Sequence, residues 1–411
     1  MLESGEVMAA PGPTFEAIQP EGVQLPQPGL DTRKRFTVDG GDALEHSLLE
    51  ICEAVRRGVL DIIPSRTLEA LVLGGGYGRG EGGVLRTGAR ELPYNDLEFY
   101  VFVDGPIWVS ERRYGPGLHR LAHRLTAVAG IEVEFKIVSQ RKLRRSAPSM
   151  FYYDLVVGHR LIWGETSWLL ACQRHEDPAC LPLSEATRLL MNRCSGLLFA
   201  RDRLRHSPIS SDDADFVGRN LAKAELAFGD VVLVAFKRYH WSCRERHRRL
   251  RTLEADEDLP WLLEVRRHHE VGLQFKLNPY RTCATVTALE RQFQEISALG
   301  FRLWMWLESR RLSCSFASAR DYALSPIDKC PETNPLRNRL VNAKAFGPAA
   351  SLGARGARHP RERVLHALAL LLWEPALEQD VLCHVRKELG APINGSGRVE
   401  EACQTLWSRF N

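Results

Sequence analysis

Asp96 and Glu98 stand two residues apart in an apolar run, and a glycine-dense stretch, residues 74–83, precedes them. Side chains two apart on a strand project from one face, so the pair offers two hard oxygen ligands suited to Mg²⁺ or Mn²⁺. Glycine lacks the Cβ that blocks close approach and tolerates positive φ, so several amides of such a turn can point at one anion. Turn and acids together describe a place for a triphosphate and a divalent cation. The plainer alternative is a tight turn beside a strand with two solvated acids.

A third acid is sought on residues 131–138, where Ile131, Val133, Phe135 and Ile137 alternate with Glu132, Glu134 and Lys136. That period is the mark of a half-buried strand. Glu132 and Glu134 share a face but stand about 7 Å apart, from a rise of about 3.4 Å per residue, so only one should join Asp96 and Glu98. Glu134 is favoured for its apolar neighbours Val133 and Phe135; Glu132 lies near the turn at Gly130. Both could instead be solvated on an edge strand. His119 and His123, four apart on a predicted helix over 117–129, have no third metal ligand nearby and read as surface residues. Arg141, Lys142, Arg144 and Arg145 read as a solvated helix face, with a phosphate contact as the alternative.

Gly-Gly, a short helix and then an Asp-x-Asp/Glu strand resembles the polymerase β-like nucleotidyltransferase superfamily. The form GGYGRGE, residues 75–81, is similar to the turn in bacterial protein uridylyltransferases, where a Ser-Asp-x-Asp strand usually follows. Here Asn95 stands where Ser is common and Glu98 replaces the second Asp; both keep the chemical type. The resemblance implies Mg²⁺-dependent transfer of a nucleoside monophosphate from an NTP to a hydroxyl of a small-molecule or protein acceptor. It implies Asp96, Glu98 and Glu134 as the catalytic and metal-binding acids, with Gly75, Gly76 and Arg79 on the nucleotide. In that superfamily a helical domain often lends a Lys to the triphosphate, and Lys223 resembles such a residue. The alternative for Lys223 is an exposed charged stripe, since Lys223, Asp230 and Lys237 recur at a spacing of seven. A non-catalytic nucleotide-binding regulatory or interaction protein that retains the fold is the second functional reading.

Gly78, Gly80 and Gly83 also satisfy GxGxxG, the dinucleotide fingerprint. A Rossmann unit needs a full crossover helix and a second strand ending in the ribose-binding acid. Thr87, Gly88 and Pro93 interrupt that connection, and the acids open their strand instead of closing it.

These residues need a scaffold, and 411 residues suffice for two or three domains. The reading is an α/β nucleotidyltransferase-like catalytic domain, residues 41–183, followed by a mainly α-helical C-terminal region, residues 184–411. Residues 1–40 form an N-terminal tail whose Pro, Gly and Glu content, especially up to about Leu30, argues for disorder. An amphipathic helix is predicted over 42–63, ended by Pro64, and a helix with a short strand over 151–164, with a boundary near Pro182. Further helices are predicted from about Phe216 with an acidic start at Asp212, Asp213 and Asp215, over 286–310, and from Pro375 to Gly390, with a linker or exposed loop over 347–359. Trp304 and Trp306 read as packing residues in preference to a base-stacking platform.

Net charge is +4, which gives no reason to expect a dedicated nucleic-acid partner. The longest apolar run, residues 367–373, falls far short of the roughly 20 residues a bilayer span needs. Ten cysteines without CxxC pairs, and acids near the N-terminus in place of a basic leader, lead to a cytoplasmic expectation with reduced thiols.

Overall fold

The apolar run ahead of the glycine turn forms β1 (Leu68–Leu73), the most enclosed strand of a four-stranded sheet. In this computed structural model, residues 34–165, 167–206, 208–254, 259–374, 378–390 and 398–411 are described. The chain is mixed α/β, a small sheet region followed by a helical C-terminal region. Most of the tail assignment, residues 1–33, lies outside the described residues, as does Pro375.

Helix α1 (Asp42–Ile62) precedes β1 and buries Leu44, Leu48, Ile51 and Val55, the stripe its spacing predicts. After β1 come α2 (Gly75–Arg79), a hairpin of β2 (Val84–Thr87) and β3 (Arg90–Pro93), then β4 (Asp96–Val103). Helix α3 (Ile107–Ala129) returns the chain to β5 (Glu132–Val138); α4 (Gln140–Arg145), α5 (Met150–Val157) and β6 (Arg160–Gly164) complete the unit. Helix α3 starts ten residues earlier than predicted and runs through Pro116. Proline removes the bond to the carbonyl four residues back, and that residue, Arg112, is exposed, so water can satisfy the group.

The strand order is β5-β4-β1-β6, with β4 parallel to β5 and β1 antiparallel to both its neighbours. An antiparallel β1–β4 pair joined through a five-residue helix is incompatible with a Rossmann crossover. Leu71 and Leu73 of β1 face a core shared with α1 and α3, whereas Ala70 and Val72 face a second core with α5. A strand covered on both sides reads as an unbroken apolar run, as this one does.

Residues 34–41 are packed, so the tail ends earlier than position 40. Phe36 is buried beneath the Arg160 guanidinium, 3.8 Å from its ring centre, and Thr37 bridges to Gly82. Glu45 accepts from the amides of Phe36 and Thr37 at 2.7 and 3.0 Å.

The helical region begins at α6 (Leu183–Leu204), with Pro182 immediately before it, and continues with α7 (Ser211–Ala235), α8 (Cys243–Arg251), α9 (Leu262–Leu277) and α10 (Val286–Leu312). Among the described residues six more helices follow: α11 (Ala319–Leu324), α12 (Pro335–Phe346), α13 (Gly353–Gly356), α14 (Arg361–Trp373), α15 (Gln379–Leu389) and α16 (Val399–Phe410). Helices α6, α7, α10 and α14 share the largest core, in which Trp304 is buried. The stretch 347–359 holds a 3₁₀ turn and the short α13, and Gly356 is its one buried residue. No described helix is long and apolar enough to cross a membrane.

Candidate functional site

The parallel register of β4 and β5 sets Asp96 opposite Glu132 and Glu98 opposite Glu134. All four carboxylates therefore belong to one face of the sheet. Asp96 and Glu98 are half-buried, Glu134 is half-buried and Glu132 is exposed. Lys136 stands among them, its Nζ 2.9 Å from Glu98 Oε1 and 3.0 Å from Glu134 Oε2. Burial alone would lower the Lys136 pKa, but the hydrogen bonds and charges of Glu98 and Glu134 outweigh burial and raise it. Among the described residues no three His, Cys, Asp or Glu side chains converge into a metal-holding group. Asp96, Glu98 and Glu134 are all half-buried, and two of them, Glu98 and Glu134, share the Lys136 ammonium.

Asp96 makes no ion pair among the described residues. Its pKa is raised by burial first and by the neighbouring Glu98 second, with a smaller push from Glu134. Asn95 ahead of it has φ 79, a left-handed backbone that Asn adopts more readily than most side chains, and its amide donates to Asp96 Oδ1.

The glycine turn reaches this face directly. A Cβ placed on Gly75, whose φ is +59, would lie 2.9 Å from Glu98 Oε2. One placed on Gly76 would lie 3.1 Å from the Nζ of Lys276 on α9. The two glycines therefore stand between a carboxylate and an ammonium, with bare backbone facing both. Tyr77 fastens the turn to the strand that follows, its hydroxyl donating to the Gly83 carbonyl at 2.8 Å and accepting from the Tyr94 amide at 2.7 Å.

A cleft of about 410 Å³ opens beside the turn, between the sheet region and α6, α7 and α9. Arg79, Tyr94 and Asn95 line one wall; Arg193, Lys223 and Lys276 line the other. Arg79 is ion-paired to Asp154 of α5 at 3.3 Å, so the sequence-predicted nucleotide residue is at the cleft with its charge already matched. Lys223 and Lys276 make no hydrogen bond or ion pair among the described residues. Burial, with help from Arg193 and Arg219, brings the Lys223 pKa down to about 8. Burial lowers Lys276 as well, with Arg79 adding to the effect.

Lys223 is half-buried in the cleft wall and is not part of an exposed stripe. Its supposed stripe partner Asp230 is buried against Arg246 at 2.7 Å, and Lys237 lies beyond the end of α7 with φ 57. Lys276 and Lys136 escaped the sequence reading. Lys276 offers one local signal, a lone charge between Phe275 and Leu277 in the last turn of α9. His119 and His123 are exposed on α3, and Arg141, Lys142, Arg144 and Arg145 are exposed on α4.

No protein-family model matches the chain, and no curated protein matches it.

Proposed function

We propose that the chain is a Mg²⁺-dependent nucleotidyltransferase that moves a nucleoside monophosphate from an NTP to an acceptor hydroxyl. One observation carries the reading: Gly75 and Gly76 lie between Glu98 and Lys276, so that a Cβ on either would intrude on a carboxylate or an ammonium. Bare backbone between a cation-binding acid and a free lysine is what a triphosphate requires.

The residues present fit a divalent cation. Asp96 carries a carboxyl whose pKa is raised by burial and by Glu98, a tension that a cation relieves. Mg²⁺ commonly keeps waters and takes one or two carboxylates plus substrate phosphates, so Asp96 and Glu98 suffice as protein ligands. Bound there, Mg²⁺ or Mn²⁺ would offset charge on the leaving pyrophosphate. The amides of Gly75 and Gly76 would hold phosphate oxygens, Lys276 and Lys223 would neutralise them, and Glu134 would take the proton of the acceptor hydroxyl. Positioning and electrostatics would supply most of the rate.

A second reading, a nucleotide-binding regulatory protein without turnover, draws on Lys136, whose ammonium already bridges Glu98 and Glu134. The deciding experiment incubates the chain with each labelled NTP, Mg²⁺ and cell extract, then measures bound nucleotide, released pyrophosphate and any product that gains a nucleoside monophosphate. Mg²⁺-dependent transfer lost in Asp96→Asn supports the enzyme. Tight NTP binding without transfer supports the regulatory protein, and absence of NTP binding overturns both.

A further inference from the structure

Strand β5 is an edge of the sheet, paired on one side to β4. The amide of Val133 donates to Thr126 Oγ1 at 3.0 Å, away from β4. Backbone groups alternate along a strand, so the amides of Phe135 and Ile137 point to that same outer side. No described residue accepts from either of them. A groove of about 1090 Å³ runs along this edge between β5 and α3. Its apolar floor includes Leu118, Val133 and Ile137, and at Gly115 on α3 an added Cβ would meet nothing within 4 Å. The groove is continuous with the acid face, since Glu134 and Lys136 line both.

We propose that this edge binds the acceptor, and that the acceptor is an extended protein segment with a basic character and a Ser, Thr or Tyr residue. The inference rests on the nucleotidyltransferase reading and names its acceptor class. The charge of the groove selects the partner: Lys136 is matched by Glu98 and Glu134, which leaves Glu111 and Glu132 as its unmatched charges, with His119 and His123 as the other titratable side chains of its lining. The free amides and carbonyls of Phe135 and Ile137 would pair with the segment as an added strand.

Register supplies the chemistry. Side chains directly opposite on neighbouring strands lie on one face, about 4.5–5.5 Å apart at Cβ. A hydroxyl residue opposite Glu134 therefore projects onto the face that carries Asp96 and Glu98. Its oxygen bonds to the α-phosphorus of the NTP as the bond from that phosphorus to pyrophosphate breaks, and its proton passes to the Glu134 carboxylate. The products are a nucleotidylated peptide and pyrophosphate.

The test uses the full chain with NTP, Mg²⁺ and three acceptor sets: short Val-rich peptides with Lys or Arg around one hydroxyl residue, the same peptides with Glu flanks, and small polyols. Two variants block the edge. Ile137→Pro removes an amide that makes no ladder bond, a position where an edge strand tolerates proline; Ala122→Phe fills the groove from α3. The basic peptides should gain a nucleoside monophosphate, and each variant should raise their KM by about tenfold, the loss expected for one or two strand-pairing hydrogen bonds. Nucleotide affinity should stay unchanged. Equal peptide KM in both variants, preference for Glu-flanked peptides, or transfer only to polyols overturns the edge proposal while the transfer itself keeps the enzyme reading intact; nucleotide binding without transfer to any of the three sets overturns both in favour of the regulatory protein. Loss of nucleotide binding in the unaltered chain overturns the two together.

Discussion

The Glu81 carboxylate, at the end of the glycine turn, accepts hydrogen bonds from Ser242 Oγ at 2.5 Å and from the Cys243 amide at 2.8 Å. A third comes from the Arg244 amide at 3.3 Å. An acid from the sheet region thereby satisfies amides at the start of α8 that have no partner within the helix, the position where helices favour negative charge. The last residue of GGYGRGE is a joint between the glycine turn and the helical region.

Burial opposes charge on Glu81, but the bonds from Ser242, Cys243 and Arg244 prevail and lower its pKa from the ordinary 4.5. A depressed carboxyl contributes stability that is fully present above the unfolded value and lost as pH falls through the folded one. Glu81→Gln should lower stability at pH 7 by on the order of 1 to 3 kcal/mol, the range for a hydrogen-bonded charge. The difference from wild type should shrink below about pH 4.5 in urea titrations. Faster amide exchange at Cys243 and Arg244 would accompany it; unchanged exchange there rejects the joint.

Asp96 behaves in the opposite sense. Burial and Glu98 raise its pKa, so its contribution is present below the unfolded value and is lost as pH rises through the folded one. Asp96→Asn should abolish transfer yet raise the neutral-pH melting temperature, by on the order of 2 °C for a gain near 1 kcal/mol. Glu98→Gln should abolish transfer too, but without that gain, because it leaves Lys136 with one carboxylate fewer. Mg²⁺ should raise the melting temperature of wild type and of neither variant. A destabilised Asp96→Asn chain would place Asp96 among structural ion pairs instead.

Lys276 and Lys223 should both matter to the nucleotide, and pH should separate them from bystanders. Either Ala variant should weaken NTP binding by on the order of 1.5 to 3 kcal/mol, the loss of a charged hydrogen bond. Lys223 carries its charge below about pH 8 in the free chain. NTP affinity should therefore fall as pH passes upward through about 8, and Lys223→Ala should flatten that fall. Calorimetric titrations across this range would show it. An unchanged profile in the variant assigns the lysine to packing.

Much of this site was open to reading in the chain. Asp96, Glu98, Glu132 and Glu134 declare their faces by strand alternation, a local property, and their pairing across β4 and β5 follows from that. Lys223 enters through the family resemblance, and the charged stripe that is its alternative dissolves because Asp230 is buried against Arg246 and α7 ends at Ala235. Lys276 was missed because its partner Gly76 lies two hundred positions earlier and no periodicity links α9 to the turn. Glu81 reads as part of a motif, and its use as a cap depends on where α8 docks. Local pattern reports a residue's own element; a contact between elements from opposite ends of the chain leaves no such trace.

Lys136 distinguishes the two candidates for a third acid. Glu134 lies opposite Glu98 and shares the Lys136 ammonium with it, whereas Glu132 lies opposite Asp96 and is exposed. Glu134→Gln should reduce turnover by about 10²- to 10⁴-fold with little change in NTP affinity, as expected for loss of a general base, and Glu132→Gln should do much less. Lys136→Met should do something different from either. It removes the cation that a metal must compete with at Glu98, so Mg²⁺ affinity in the absence of nucleotide should rise by about tenfold, one charge-assisted hydrogen bond's worth. The metal-free chain should at the same time lose stability, because Glu98 and Glu134 then face one another without a counter-ion. Calorimetric Mg²⁺ titration and thermal melts with chelator give the two readouts. Tighter Mg²⁺ binding with a lower metal-free melting temperature identifies Lys136 as the resident counter-ion of the acid face; weaker Mg²⁺ binding would mean that its charge organises the carboxylates for the metal instead.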